Sequence, residues 1–498
     1  MALLIGDLVR TAAGSVPRHV AATKGGRQLT FGELEASTEQ LVRALAARDV
    51  AYGDRVVWWG ATTLDAIALW FALARLGAVV VPMNPGSTQE ESKALLDRAD
   101  AALIVGDEAH AGDVSLAALL ADPARTGITV PVIDENDPHV IFFTSGSSGR
   151  PKGVELSHRA SMLRVIGSKA MWPSGGPMVC MFPQFHMAGW YGPMTVWNSG
   201  DEVVYVERGD PDALLGAVHE RRAVRLYAIP AVWRRILDTD RTQYDLSSLQ
   251  ACDTGTSATT PELLRAIAEA FPGTTTSITY GSTEAGTVCR LWSKDLFSKP
   301  GSVGLPAMGS EVRLAENGEI LVRNDMLMNG YFRDPEATAA ALEGGWFHTG
   351  DLGVQDDEGY FSIVGRAGDV IRTGGEAVAP VEVDLVLQSA PGVADAAVAG
   401  TPDEDWGEVI CAFVVPRPGA SVDLASLRRH CEGRLATFKH PRRLMIVESL
   451  PRTGATRQIQ RRILVEWAGR EPTATATATA TATGTATATG TSGTENPA

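Results

Sequence analysis

The chain has 498 residues, of which 45% are hydrophobic and 21% charged, a composition typical of folded proteins and a length that favours two or three domains. Its 59 acidic residues outnumber its 44 basic ones and give a net charge of -15, which argues against a surface that binds nucleic acid or anionic lipid. The five cysteines are scattered without a C-x-x-C pair, no basic leader precedes the apolar start, and no apolar run approaches the ~20 residues of a membrane span. We therefore expect a soluble, cytoplasmic protein that acts on small molecules.

The first 365 residues alternate helical periodicity with short apolar runs. "FGELEASTEQLVRALAARDV" predicts a helix, and "DRVVWWG" after it predicts a strand. "TLDAIALWFALARLGAVVVPMNP" repeats the step, with a helix that ends near Gly77 and a buried strand closed by Pro82 and Asn84. Such units predict an α/β fold, in which residues 1–365 form a large N-terminal domain of mixed and parallel sheets covered by helices.

The segment His139 to Ala160, "HVIFFTSGSSGRPKGVELSHRA", predicts a strand, a loop, a second strand and a helix capped by Ser157. Glycines let backbone N–H groups close around phosphate oxygens, hydroxyls add donors, and a lysine supplies charge, so the loop can hold a polyphosphate. The spacing is not that of a Walker A loop. A flexible surface hairpin would explain the glycines and serines but not their order. The candidate phosphate-binding residues are Thr144, Ser145, Gly146, Ser147, Ser148, Gly149 and Lys152.

The loop "TSGSSGRPKG" resembles the phosphate loop of the acyl-adenylate-forming superfamily, which includes acyl-CoA synthetases, nonribosomal adenylation domains and luciferases. The resemblance continues in family order through "YGSTEAG" (Tyr280 to Gly286), "GWFHTGDLG" (Gly345 to Gly353) and "GRAGDVIRTGGEAVAPVEVD" (Gly365 to Asp384). It covers essentially everything before the C-terminal tail. The resemblance implies that ATP, Mg²⁺ and, in the CoA ligases, coenzyme A bind to the protein.

The resemblance assigns roles that the chemistry of the residues can support. Tyr280 would stack on adenine, Gly281 would belong to the nucleotide-binding turn, Thr283 would contact the α-phosphate, and Glu284 would hold Mg²⁺. An isolated S-T-E is more often a solvated turn. Asp351 in "HTGDLG" would accept the ribose hydroxyls, and Arg366 would reach the ribose or a phosphate. An aspartate between glycines is otherwise a common turn residue.

Two further segments resemble the region around the acid substrate. "ACDTGTSA" is similar to the segment whose backbone lines adenine and the acid, which singles out Gly255 and Thr256. "FPQFHMAGWYG" is similar to the region beside the acyl pocket, where His186 would contact or gate the substrate. A histidine among aromatic residues can equally be a satisfied core residue. The neighbouring Met187, Trp190 and Tyr191 could line a flat pocket for an aromatic acid, or be plain core.

The pattern changes near residue 365, and the segments "VADAAVAG", "EVICAFVVP" and "LASLRRHCEGRL" predict a small α+β C-terminal domain over residues 366–470, which the resemblance implies is mobile. The resemblance places a hinge near Gly368, where relatives commonly carry Asp or Lys. "TGGEAVAP" keeps the glycines that approach the thiol in CoA ligases. Residues 471–498 alternate threonine and alanine without charge or large side chains, which predicts a disordered tail.

The segment "LPRTGATRQIQRRIL" lacks a lysine that the family uses to bridge the attacking carboxylate and the α-phosphate. Counted forward from Pro451 its position falls on Arg457, and counted back from "IQRR" it falls on Gln458. Arg457 keeps a positive charge, but a guanidinium is larger and differently aimed than an ammonium. Lys439 and Arg442 are alternative cations, unless they only form a solvated basic face.

These features favour an ATP-dependent, AMP-forming ligase that activates a small carboxylic acid, with aromatic acids among the candidates, and transfers it to coenzyme A. A second hypothesis is a diazotase of the same superfamily, which uses ATP, nitrite and an aryl amine. The third is a nucleotide-binding homologue with little catalysis. The altered lysine segment keeps all three open.

Overall fold

The computed structural model describes residues 2–110, 112–122, 130–144, 151–169, 175–256, 259–453 and 458–469. The predicted tail (471–498), the phosphate-loop residues Ser145 to Gly149 and the lysine candidate Arg457 lie outside these ranges.

Twenty-five strands occur in the described ranges. They are β1 (Val20–Lys24), β2 (Arg27–Thr30), β3 (Arg55–Trp59), β4 (Val79–Met83), β5 (Leu103–Gly106), β6 (Val114–Ser115), β7 (Pro138–Thr144), β8 (Lys152–Ser157), β9 (Met178–Cys180), β10 (Val203–Tyr205), β11 (Arg225–Tyr227), β12 (Ala251–Gly255), β13 (Ile278–Ser282), β14 (Gly286–Leu291), β15 (Ser302–Pro306), β16 (Glu311–Leu314), β17 (Glu319–Arg323), β18 (Gly330–Tyr331), β19 (Phe347–Gln355), β20 (Phe361–Arg366), β21 (Ile371–Thr373), β22 (Glu376–Val378), β23 (Val393–Asp403), β24 (Gly407–Pro416) and β25 (Arg443–Ile446).

Fourteen α-helices accompany them in the same ranges. They are α1 (Asp7–Ser15), α2 (Phe31–Ala46), α3 (Leu64–Leu76), α4 (Gln89–Ala99), α5 (Leu116–Ala121), α6 (His158–Lys169), α7 (Ala188–Trp197), α8 (Pro211–Arg221), α9 (Pro230–Asp238), α10 (Pro261–Ala270), α11 (Pro335–Ala341), α12 (Pro380–Gln388), α13 (Leu424–Cys431) and α14 (Arg461–Gly469). None of the described helices is both long and apolar enough to cross a membrane.

The strands form three sheets. In the largest, thirteen described strands run in the order β16-β17-β19-β20-β15-β14-β13-β12-β11-β9-β10-β1-β2, with parallel pairing from β13 to β1 and antiparallel pairing elsewhere. The second has the order β18-β8-β7-β4-β3-β5-β6, parallel from β7 onwards. The third is β22-β21-β24-β23, with β25 parallel to β24. The α/β class, with a large N-terminal part and a smaller C-terminal one, is confirmed.

Helix α3 shows how local sequence sets the elements. The Thr63 hydroxyl accepts a hydrogen bond from the backbone N–H of Ala66 and so caps the first turn, and Gly77 ends the helix in the left-handed region at φ 65°. Every residue from Ala66 to Leu76 is buried. Because the helix is apolar all round, it packs inside the main core, and the fully buried strand β4 follows it as the sequence predicts.

The third sheet has a core on each face because side chains alternate along its strands. Ala396 and Val398 of β23 pack in the cluster that contains helices α12 and α13, whereas Ala397 and Ala399 pack in the cluster that contains Leu464 of α14. This sheet begins at Ile371, five residues after the end of β20. The domain boundary at 365/366 and the hinge near Gly368 stay predictions.

Candidate active site

The hairpin of β7 and β8 carries the ends of the predicted phosphate loop. Thr144 pairs with Lys152 across the two antiparallel strands, and the Thr144 hydroxyl lies 3.4 Å from the Lys152 carbonyl oxygen. The sequence predicts strands over Val140 to Phe143 and Val154 to Leu156, and each observed strand is three residues longer. The Ser157 hydroxyl caps α6 by accepting from the N–H of Ala160, as predicted. Both ends of the loop are therefore fixed to the second sheet.

Lys152 lies against an aromatic ring that leads to the predicted metal ligand. Its Nζ atom lies 4.6 Å from the centroid of the Tyr331 ring, within cation–π range. Strand β18 brings Tyr331 to this place by pairing with Val154 of β8. The Tyr331 hydroxyl donates a hydrogen bond of 3.2 Å to Oε1 of Glu284. Burial, together with the Glu284 charge, raises the pKa of Tyr331 well above its usual value.

Thr283 and Glu284 lie in the short turn between β13 and β14. Their carbonyl oxygens accept hydrogen bonds of 3.0 and 3.2 Å from the guanidinium of Arg164, a helix α6 residue that is 2% exposed. Burial lowers the pKa of Arg164 to about 10, so the side chain is charged at neutral pH. The turn that presents the Glu284 carboxylate is thus held from behind by a buried cation.

Two glycines are required by close approach of the backbone. A Cβ atom at Gly281 would lie 2.1 Å from the carbonyl oxygen of Gly286. One at Gly255 would lie 2.6 Å from both the Thr279 carbonyl oxygen and the Tyr227 hydroxyl oxygen. The chain then enters Thr256 with φ 67°, an uncommon value for a residue other than glycine. Strand β13, which carries Tyr280, therefore lies close to the end of β12 on one side and to the start of β14 on the other.

Asp351 joins the predicted adenine and ribose residues. Its Oδ2 atom accepts a bond of 2.7 Å from the Tyr280 hydroxyl, and its Oδ1 atom accepts one of 2.9 Å from Nε of Arg366. Pairing of β19 with β20 places Asp351 opposite Arg366. Burial raises the pKa of Tyr280 well above its usual value, and the neighbouring Asp351 charge adds to this effect. Three predicted site residues thus form one hydrogen-bonded group.

His186 precedes helix α7, and its Nδ1 atom accepts a bond of 3.1 Å from the N–H of Ala188. Burial lowers the pKa of His186 to about 4, which keeps the ring neutral at physiological pH. Of the aromatic residues beside it, Trp190 belongs to the main core: it is 2% exposed and its ring centroid lies 3.8 Å from that of Trp70. Tyr191 donates to the Arg164 carbonyl oxygen at 3.0 Å.

The smaller domain brings Gln458 to the larger one. The Gln458 Nε2 atom donates a bond of 3.0 Å to the carbonyl oxygen of Thr256. Of the two lysine positions given by counting, the structure therefore describes the one that carries a neutral amide. Lys439 forms an ion pair of 2.6 Å with Glu382, and the Arg442 guanidinium lies 3.7 Å from the centroid of the Trp406 ring. Both alternative cations thus contact residues of the smaller domain.

The site residues form a connected series. Lys152 contacts Tyr331, Tyr331 contacts Glu284, and the β13 strand links this turn to Tyr280, which contacts Asp351 and Arg366. Sequence reasoning missed Arg164 and Tyr331. The sequence does contain a signal that Arg164 is buried. It lies at helical spacing on the same face of α6 as four buried residues that are apolar or small, Ala160, Ser161, Val165 and Ser168.

No cluster of three or more His, Cys, Asp or Glu side chains in the described ranges is placed to hold a metal ion. Mg²⁺ does not require such a cluster, because it is commonly held by one or two carboxylates together with the phosphates of a nucleotide and several waters. Glu284, the predicted metal ligand, has a carboxylate whose Oε1 atom accepts from Tyr331.

Residues 9–332 match the AMP-binding enzyme family, and residues 382–457 match the C-terminal domain of the same enzymes. The chain belongs to this family, so the predicted membership of the acyl-adenylate-forming superfamily, and with it an AMP-forming ligase, is confirmed.

Individual relatives point the same way. The chain is 33% identical to indoleacetate–CoA ligase of Aromatoleum aromaticum, over 89% of this chain and 94% of the relative. It is 32% identical to 2-succinylbenzoate–CoA ligase of Geobacillus kaustophilus, over 90% and 95%. Among solved structures, o-succinylbenzoate CoA synthetase of Bacillus subtilis in complex with its acyl-adenylate superimposes with a TM-score of 0.86, at 25% identity over 92% and 97%. An amide bond synthetase of Marinactinospora thermotolerans gives 0.83, at 28% identity over 93% and 99%.

Proposed function

We propose that this protein activates a small carboxylic acid with ATP and Mg²⁺ and transfers the acyl group to coenzyme A. A carboxylate oxygen attacks the α-phosphorus of ATP, the bond to the β-phosphate oxygen breaks, and pyrophosphate leaves. The thiolate of coenzyme A then attacks the acyl carbon, and AMP leaves with the oxygen that came from the acid. The observation that carries the proposal is the connected series from Lys152 through Glu284 to Asp351 and Arg366.

Each end of this series suits one part of ATP. Lys152, Thr144 and the loop between them would surround the β- and γ-phosphates through charge and N–H donors. At the other end, Tyr280 and the backbone of Gly255 and Thr256 would contact adenine, with Asp351 and Arg366 at the ribose. The α-phosphate then falls near Thr283, between the two ends.

Glu284 would hold the Mg²⁺ ion. When bound, the ion draws charge from the phosphate oxygens and so favours departure of pyrophosphate. In the protein, the Tyr331 hydroxyl holds one carboxylate oxygen of Glu284, and the ring of the same tyrosine contacts the Lys152 ammonium. One carboxylate combined with substrate phosphates is the usual environment of Mg²⁺ in such sites.

The relatives support an aromatic acid or another small acid, since their names include indoleacetate and 2-succinylbenzoate. His186 would contact the acid as a neutral ring, because burial lowers its pKa to about 4. We place the reaction in the cytoplasm, where coenzyme A and ATP are abundant and where the five free cysteines stay reduced.

Release of AMP and pyrophosphate tests the proposal. The purified protein is incubated with ATP and Mg²⁺ and a panel of aryl, arylacetic and short aliphatic acids, with and without coenzyme A. The proposal expects AMP formation that requires one class of acid and accelerates with coenzyme A. AMP formation that ignores every acid and needs no coenzyme A would reject it.

The amide of Gln458, at one of the two counted lysine positions, supports a second candidate, in which nitrite replaces the carboxylate and an aryl amine replaces the thiol. Its side chain is bonded to the Thr256 carbonyl oxygen and brings no positive charge to attract a carboxylate. AMP formation that requires nitrite together with an aminoaryl acid would favour this diazotase reaction. Binding of ATP without any AMP would instead favour a homologue with little catalysis.

A further inference from the structure

Arg164 is a buried charge whose binding partners are all uncharged. Its side chain is 2% exposed, on the face of helix α6 that packs into the main core. The guanidinium donates to three backbone carbonyl oxygens, those of Thr283, Glu284 and Met326, and Nη1 also lies 3.3 Å from Sδ of Met187. No carboxylate in the described ranges forms an ion pair with it.

These three carbonyls belong to two separate segments. Thr283 and Glu284 form the turn between β13 and β14, whereas Met326 precedes strand β18, which carries Tyr331. Nη2 spans them, with bonds of 2.6 Å to the Met326 oxygen and 3.2 Å to the Glu284 oxygen. A direct backbone bond of 2.8 Å from the N–H of Met328 to the Glu284 oxygen reinforces the link.

The same two segments supply both partners of one functional hydrogen bond. The Glu284 carboxylate comes from the turn, and the Tyr331 hydroxyl that donates to it comes from the second segment. A buried guanidinium is costly to desolvate, and an apolar side chain of similar size fills a core at lower cost. A flat cation with five donors is, however, suited to joining several carbonyls at fixed angles.

We propose that Arg164 is a positioning residue for magnesium-dependent adenylation, which joins the Glu284 turn to the Tyr331 segment so that the Glu284 carboxylate faces the nucleotide phosphates. The inference rests on the proposed function of Glu284 as the Mg²⁺ ligand. Arg164 itself touches neither the metal nor the substrate.

The test replaces Arg164 by Lys, which keeps the charge but cannot reach three carbonyls in one plane. Tyr331→Phe removes only the hydroxyl that the two segments bring to Glu284. Arg75→Lys is the matched control: Arg75 is also a buried arginine, at 3% exposure, but it bonds to Glu35, Glu39 and the Gly6 carbonyl oxygen, all in the first 40 residues.

Two readouts separate positioning from general stability. The first is the Mg²⁺ concentration for half-maximal acid-dependent pyrophosphate exchange. The second is the affinity of Mn²⁺ for the ATP-bound protein, measured by electron paramagnetic resonance, which needs no turnover. We expect Arg164→Lys and Tyr331→Phe to raise both the half-maximal Mg²⁺ concentration and the Kd for Mn²⁺ by about tenfold. This is the effect of one lost hydrogen bond to a charged group. Arg75→Lys should lower the midpoint of thermal unfolding and leave both readouts unchanged.

If Arg164→Lys lowers the unfolding midpoint like Arg75→Lys but keeps both metal readouts at the wild-type value, the positioning role is wrong. Should the lysine variant not fold, Tyr331→Phe still decides, because it leaves the buried charge in place, and wild-type metal affinity in that variant overturns the proposal. Failure of the proposed function has another signature: the wild-type protein itself then shows no acid-dependent exchange.

Discussion

Asp351 is the residue at which three strands, β13, β19 and β20, bring together three side chains of the proposed nucleotide site. Its carboxylate accepts from Tyr280 and Arg366 at once, so we expect Asp351→Asn to remove the ion-pair partner of Arg366 and to disturb the ribose end of the site. Hydrogen bonds to charged groups contribute roughly 1.5–3 kcal/mol, so the Kd for ATP should rise by about tenfold to a hundredfold. Isothermal calorimetry with Mg²⁺ measures it.

Asp356→Asn is the control for this prediction. Asp356 follows the same strand, but it is exposed and bonds to Lys299. Its replacement should leave the Kd for ATP unchanged. Equal ATP affinity in Asp351→Asn and the wild-type protein would remove Asp351 from the nucleotide site.

Gln458 is the second residue whose replacement is informative. If its position is that of the family lysine, Gln458→Lys restores an ammonium near Thr256 and adds a charge attracted to both the carboxylate and the α-phosphate. Preorganised charge of this kind contributes several kcal/mol to a transition state, so acid-dependent pyrophosphate exchange should rise by about tenfold or more.

Gln460→Lys adds the same charge two residues away and should not accelerate exchange. A Gln458→Lys protein that is no faster than the wild type would indicate that another cation already serves, and Arg457 would be the next residue to replace.

Helix α6 opens on His158, a fully buried side chain that forms part of the helix N-terminus. Its Nδ1 atom accepts a bond of 3.2 Å from the N–H of Ile5, and burial lowers its pKa to about 4. From pH 6.5 down to about 4 the unfolded chain binds a proton that the folded chain does not, so stability falls as the pH falls.

From this residue alone we expect a loss of about 2 kcal/mol in the free energy of unfolding between pH 7 and pH 5. His158→Asn keeps an acceptor for Ile5 but cannot be protonated in this range, so the variant should lose less stability by about that amount. Urea denaturation at the two pH values measures the difference. A His158→Asn protein with the wild-type pH dependence would contradict the assignment.

At the scale of elements, local patterns predict strand, loop, strand and helix from His139 to Ala160, and they predict the Ser157 cap. They do not predict which distant segments the Arg164 side chain of α6 contacts. Arg164 and Met326 are 162 residues apart in the chain, and Tyr331 and Glu284 are 47 apart. Such contacts depend on how the two large sheets pack, which periodicity does not encode. The same limit applies to Trp190, because the sequence does not reveal that its ring packs against Trp70.

The molecule as a whole has a smaller domain that touches the larger one through Gln458. Transfer to coenzyme A would require this domain to turn about the segment near Gly368. A Cβ at Gly368 meets no atom within 4 Å, so Gly368→Ala should fold normally while narrowing the backbone angles available during rotation.

We expect Gly368→Ala to keep acid-dependent pyrophosphate exchange and to slow thioester formation several-fold. Gly14→Ala is the control, since Gly14 lies in helix α1 with equally open surroundings. The rate of acyl-CoA formation, measured in samples quenched at successive times, compares the two proteins. Thioester formation at the wild-type rate in Gly368→Ala would place the hinge elsewhere.

The most direct measurement of the central claim follows an oxygen atom. The active acid is labelled with ¹⁸O in its carboxylate, and the AMP formed after transfer to coenzyme A is analysed by mass spectrometry. Attack of the carboxylate on the α-phosphorus predicts AMP that carries one ¹⁸O atom. AMP without the label, formed while ATP is consumed, would contradict the account and show that another nucleophile attacks the nucleotide.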